Sequence, residues 1–294
     1  MGAVKNKPGL QAPNQLFVRY SGVPVVYVES EEDYYIFGEW FKDQLSRLEF
    51  LAVNNRLGSS ASGCGAVIEA VRTEVASGNP AWGIVDRDAV MSADRWDLVH
   101  EIDDSCFDSS LPFGQRVKVL RRWEMESYLV DGDLLEQHRS ELLMQAPRSS
   151  AEVWGELLAD CQALIPHAAL NATHHDYKKS GLGDGCTDRF QDREEVESSF
   201  VENILISLEK HHLDCRDLYA QHLNQVAAFD TTEAPLEPRV QSLLRRVHGK
   251  AVLSRFKSRH RIRDDFRGLL AARIKTAGRV PEELSDFVQM AMNS

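Results

Sequence analysis

The chain has 294 residues, 43% hydrophobic and 27% charged, with a formal net charge of −11. That balance is ordinary for a globular protein and argues against disorder, and its longest apolar runs, such as residues 23–28, are too short to span a bilayer. Five cysteines (Cys64, Cys106, Cys161, Cys186, Cys215) form no CxxC pair, which argues against a disulfide scaffold or a zinc ribbon.

Residues 1–21 lack periodicity and read as an N-terminal tail. They contain no apolar core of signal-peptide length, and Asn6 breaks the myristoylation pattern, so a cytoplasmic location is expected. VPVVYVE (23–29) is β-branched and apolar, as a buried strand requires. Ser30 follows as an N-cap, with Asp33 completing a capping box. Tyr34, Phe37, Phe41, Leu45 and Leu48 then recur at helical spacing, predicting a helix over 31–47. LEFLAVN (48–54) predicts a second strand, and 58–63 a Gly/Ser loop. A second helix is marked by Val67, Ala70, Val71 and Val75 and stopped by Gly78-Asn79-Pro80. AWGIVD (81–86) is a third strand, and RVKVLRRW (116–123) a fourth with polar intrusions.

Strands alternating with helices predict an α/β fold, with a mostly parallel sheet and flanking helices. From about residue 134 the signals turn helical, over 133–145, 150–165, 192–211, 215–228, 237–247 and 262–275; 180–188 reads as a loop. The chain therefore divides near 131 into an α/β part (22–131) and a helical part (132–294).

Charge is unevenly spread. Between Arg239 and Arg279 stand thirteen Lys/Arg against two acids, leaving 21 basic and 43 acidic residues elsewhere. Such a stretch is either a solvated helix face or a track for phosphates, because clustered cations release condensed counterions from nucleic acid. Within it Arg255, Lys257, Arg259, Arg261 and Arg263 are the nucleic-acid-binding candidates.

The carboxylates carry the chemistry. Glu29 ends the first strand, Asp86 and Asp88 follow the third, and Glu124 and Glu126 follow the fourth. All lie at carboxyl ends, the edge where open α/β sheets bind ligands. An extended backbone would point Asp86 and Asp88 to one face and Arg87 to the other. Converging carboxylates repel one another, and a hard cation such as Mg²⁺ relieves that repulsion and activates water against a phosphodiester. Taken singly, Glu29 is also a favourable acid at a helix N-terminus, and Glu124 and Glu126 are compatible with a plain surface. DRDAV (86–90) fits the DxDx[TV] pattern of haloacid-dehalogenase-type phosphatases, but that nucleophile normally sits on the opening strand. A non-catalytic metal-binding interaction subunit is the other alternative.

VVYVESEEDYYIF, GIVDRDAV and RRWEMESYLV, in that order, resemble the motifs of a Toprim domain. More narrowly, they are similar to Toprim-like nucleases of bacterial defence loci related to the OLD family. The resemblance covers about residues 22–131. It implies a metal site at Glu29, Asp86 and Asp88, with a further acid at Glu126 rather than Glu124, taking Mg²⁺ or Mn²⁺. A Gly often follows the first-strand Glu in that family; here Ser30 stands there. VHGKAVLSRF (247–256) is similar to a late Gly-Lys segment of these proteins, which carries an assisting role to Lys250; the alternative is one more phosphate-tracking lysine. The resemblance further implies an antiviral effector that is held silent by an ABC-type ATPase partner, homodimerises on release and is toxic by cutting host nucleic acid, tRNA above DNA.

Other signals are weaker. His174-His175, Cys186, His211-His212 and Cys215 lack finger-like spacing. The aromatics from Tyr34 to Phe41 read as core, as do Trp123 and Tyr128, although the latter two flank acids and could stack on a base. No P-loop is present, so ATP hydrolysis is not expected of this chain.

Overall fold

The computed structural model describes residues 22–54, 63–178, 180, 182, 192–263 and 265–294. The chain is α/β and mostly helical, with four short strands and ten helices of eight residues or more among the described residues. Packing divides it into two compact units, Met1–Val85 with Glu282–Ser294, and Asp86–Pro281. The composition shift near 131 coincides with neither junction.

The first unit holds β1 (Val25–Val28), α1 (Glu31–Trp40), β2 (Glu49–Ala52), α2 (Cys64–Ala76) and β3 (Ala81–Val85). β1 runs parallel to β2, with Val25 opposite Glu49, and to β3, with Val25 opposite Ala81. β1 and β3 are buried throughout, whereas β2 alternates. The capping box forms: the Asp33 N–H donates to Ser30 Oγ at 3.1 Å and the Ser30 N–H to Asp33 Oδ2 at 3.0 Å. α1 ends at Trp40, short of 47, and a 3₁₀ turn (Lys42–Gln44) follows. Phe37 stacks on Phe50 of β2 at 5.3 Å, fixing the helix to the strand. Gly83 lets α2 come close, since a Cβ there would lie 2.8 Å from Val67 and 2.9 Å from Val71. The final helix, Glu282–Met292, also joins this unit: Phe287 meets the Trp82 ring edge-on at 5.4 Å, and Trp82 Nε1–H donates to Ser294 Oγ. Periodicity within the first 85 residues gives no sign that Trp82 is covered from the far end of the chain.

The second unit begins with three short helices and β4 (Val117–Val119). The predicted fourth strand is confined to Val117–Val119, and beyond it the Trp123 N–H donates to Leu244 O at 2.9 Å. Next come α3 (Gly132–Leu143), α4 (Ser150–Lys178), α5 (Glu202–Glu209), α6 (Cys215–Ala227), α7 (Leu236–Leu243), α8 (Gly249–Arg259) and α9 (Arg267–Thr276); the closing helix of the first unit is α10. The helix predicted over 150–165 instead runs through Pro166 to Lys178. Pro166 ordinarily breaks a helix, but here it is enclosed among buried neighbours on both sides. The predicted 192–211 helix is interrupted by a π segment, Val196–Val201. α8, absent from the expected helices, forms where the Gly-Lys segment lies. Among the described residues no helix is long and apolar enough to cross a membrane.

Candidate functional site

RRWEMES is held from both sides. The Arg87 N–H donates to Trp123 O at 3.0 Å. Arg122 donates from Nη1 to Ser127 O at 2.9 Å and lies over the Tyr128 ring. These bonds fix Glu124 in an extended conformation leading into a 3₁₀ turn, Met125–Leu129. Both Glu124 and Glu126 are buried, so neither is the surface acid that the sequence also allowed.

α8 docks on that turn through Gly249. A Cβ at this position would sit 2.4 Å from Ser127 N and Cα, so only glycine permits the approach. Docking brings the Lys250 N–H to Glu124 Oε1 at 2.6 Å, making Glu124 the anion at the α8 N-terminus. The Lys250 side chain turns to Glu126, Nζ to Oε1, at 3.2 Å. Arg267 Nη1 reaches the same oxygen at 3.4 Å, and His248 Nδ1 stands 3.4 Å from Glu124 Oε2. Burial opposes the charge on Lys250, yet Glu126, Glu124 and Asp86 together raise its pKa above the ordinary lysine value. Burial likewise pushes Glu124 up, but His248 and Lys250 outweigh it and hold the carboxyl below its usual range. Four predicted residues, Asp86, Glu124, Glu126 and Lys250, thus share one electrostatic neighbourhood within the second unit.

Asp86 and Asp88 depart from the expected extended geometry. The backbone enters a turn there, with Ala89 N–H donating to Asp86 O and Met91 N–H to Asp88 O, which opens the one-turn helix Ala89–Ser92. Arg87 is wholly buried and donates to the carbonyls of Arg121, Leu98 and Glu101, while Asp86 is half-buried and Asp88 exposed. The acids still diverge from Arg87, but through a turn rather than strand alternation. Glu29 belongs to the first unit. There its Oε2 lies 3.9 Å from where a Gly63 Cβ would be, just before α2, a favourable place for an anion.

The donors expected to hold Mg²⁺ are hard oxygens, chemically suited to it. Of these donors, Asp86, Asp88 and Glu126 belong to the second unit and Glu29 to the first. Glu126 is paired with Lys250 and Arg267, Glu124 accepts from the Lys250 N–H, and among the described residues no three His, Cys, Asp or Glu side chains are grouped to hold an ion.

The basic segment is largely paired internally. Arg255 is buried and bonds Asp160 at 2.7 Å, and Arg259 bonds Asp160 at 2.6 Å. Arg239, Arg245, Arg273 and Arg279 pair with Asp230, Asp104, Glu141 and Asp131. Burial keeps Arg255 from any phosphate, which corrects its place on the expected track. Lys257 is half-buried; Arg261 and Arg263 are exposed. Of the weighed zinc candidates, Cys215 and His175 are buried, His212 stacks on Tyr177 at 4.1 Å, and Cys186 lies outside the described residues.

No family model, no curated protein and no solved structure matches this chain. The cluster around Lys250 therefore stands on its own chemistry. Two of its members escape sequence reasoning: His248 and Arg267, the latter 141 positions from Glu126, with no motif marking it. The one usable signal is the glycine preceding Lys250.

Proposed function

We propose that this chain is a nuclease of the Toprim type that cleaves a phosphodiester bond of nucleic acid, tRNA above DNA, as the toxic effector of an antiviral pair with an ABC-type ATPase. The observation that carries the reading is Lys250. Its side chain is 40% exposed while its partner Glu126 is 2% exposed, so a cation anchored on a buried acid belongs to a side chain that reaches the surface. Carboxylates from three sequence positions hold it charged. An ammonium so fixed can meet a phosphate oxygen and stabilise the charge that develops as water adds to phosphorus and the sugar oxygen leaves. Glu126 and Glu124 are positioning residues in this account. Mg²⁺ or Mn²⁺ is part of the proposal through the resemblance, at Glu29, Asp86, Asp88 and Glu126. No step is routed through the ion.

The test uses the purified full chain, with tRNA and duplex DNA, with and without Mg²⁺. The wild type is expected to cut one of them. Lys250→Met should lower the rate by about 10²–10³-fold without changing the circular dichroism spectrum, and Glu29→Ala and Asp86→Ala should abolish both cutting and cellular toxicity. Turnover of a phosphate monoester with nucleic acid intact would instead support the phosphatase alternative. Full activity in Lys250→Met would refute the site.

A further inference from the structure

A second cluster, unrelated to Lys250, lies in the second unit. His222 of α6 has its two ring nitrogens committed in different directions. Nε2 stands 2.9 Å from Asp176 Oδ2 of α4. A carboxylate only accepts, so Nε2 carries the proton and Nδ1 presents a lone pair. Nδ1 faces His100 Nε2 at 3.3 Å and Gln225 Oε1 at 3.2 Å. Two potential donor atoms therefore each stand within 3.3 Å of His222 Nδ1, beside a cavity of about 470 Å³ lined also by Trp96, Gln221 and Leu218.

We propose that His100, His222 and Gln225 bind a borderline transition-metal ion of the Zn²⁺ class, with Asp176 orienting His222. Zn–N bonds of about 2.0–2.1 Å on a tetrahedron put neighbouring ligand atoms about 3.3–3.4 Å apart, which is the spacing between the two imidazole nitrogens. An aspartate on the far nitrogen of a ligating histidine is the usual outer-shell partner, fixing tautomer and ring direction. Asp176 is thus no direct ligand, and the cavity supplies room for water at the open position. The charges of Arg246 and Arg87 act on His100 and would repel a dication. The Arg87 guanidinium is tied to three carbonyls, whereas Arg246 lies over Trp123 at 4.6 Å. The site should consequently be weaker than a closed four-ligand centre.

Co²⁺ titration of the metal-free full chain tests this. One equivalent should bind with visible d–d absorption, be displaced by Zn²⁺, and be lost in His100→Ala and His222→Ala. Asp176→Asn should weaken it by about 10–100-fold. No stoichiometric binding by the wild type, or binding unaltered by His100→Ala, overturns the proposal. Should the histidine variants fail to fold, X-ray absorption on the Zn²⁺-loaded wild type decides: scattering from two imidazoles supports the site, and its absence refutes it.

Discussion

Two charged clusters in the second unit are built from the same residue types and end differently. Around Asp160, which is 1% exposed, Arg255 and Arg259 supply guanidinium donors at 2.7 and 2.6 Å. Neighbouring Glu156 is pushed up by burial, but its bonds to His260 and Arg148 win and bring its pKa down to about 2. This network is closed on its acids and cements α8 to α4. Around Lys250 the acids are buried too, and the lysine side chain is 40% exposed, close to the 38% of Arg259 in the first cluster. A buried charge with all its partners in place specifies a fold, whereas a more loosely paired charge is available to a ligand. What separates the two is how the acid is held: Asp160 meets two arginines at 2.7 and 2.6 Å, whereas Glu126 meets Lys250 at 3.2 Å and Arg267 at 3.4 Å.

Breaking the closed cluster should produce the larger effect on stability. Asp160→Ala leaves Arg255 buried without its carboxylate and should cost about 3–5 kcal/mol, read as a large fall in the midpoint of urea unfolding. A loss below ~1 kcal/mol would mean that Arg255 finds water instead.

At the Lys250 cluster the effects should divide between docking and charge. Gly249→Ala drives a methyl group into Ser127 and should cost about 1–3 kcal/mol. Lys250→Met takes one cation from the buried Glu126 but leaves Arg267 at 3.4 Å, and should cost less than Gly249→Ala. Comparable losses in the two variants would place Lys250 with the structural network. The smallest change in stability belongs to the exposed end of the basic segment. Arg261→Gln with Arg263→Gln should stay within about 0.5 kcal/mol of wild type. The salt dependence of nucleic-acid binding should nevertheless flatten, its logarithmic slope falling by about 0.9 for each phosphate that is no longer neutralised. An unchanged slope would show that neither arginine touches phosphate.

The elements most legible in the sequence are those whose cause is local. The Ser30–Asp33 capping box, the stop at Gly78-Asn79-Pro80 and the buried strands β1 and β3 follow from a few adjacent residues. Elements governed by distant partners are not legible in this way. Pro166 has the local character of a terminator, because its enclosure by other helices has no local signature. Trp123, inside the stretch predicted as a strand, instead bonds the distant Leu244. The carboxylates at 86, 124 and 126 and the lysine at 250 are legible as candidates. Their roles are not, because Glu124 becomes a helix-terminal acceptor only once Gly249 has docked.

The sequence by itself determined the α/β-then-helical order, the candidate acids and the concentration of positive charge, since periodicity, capping and composition act over a few residues. Tertiary structure alone decided which charges are neutralised and which are open. It buried Arg255 against Asp160, set Lys250 over Glu126, and brought His100 to His222 across 122 positions. The reason is electrostatic: the worth of a charge or a lone pair depends on its solvent exposure and nearest partners, and neither exists until the chain has folded.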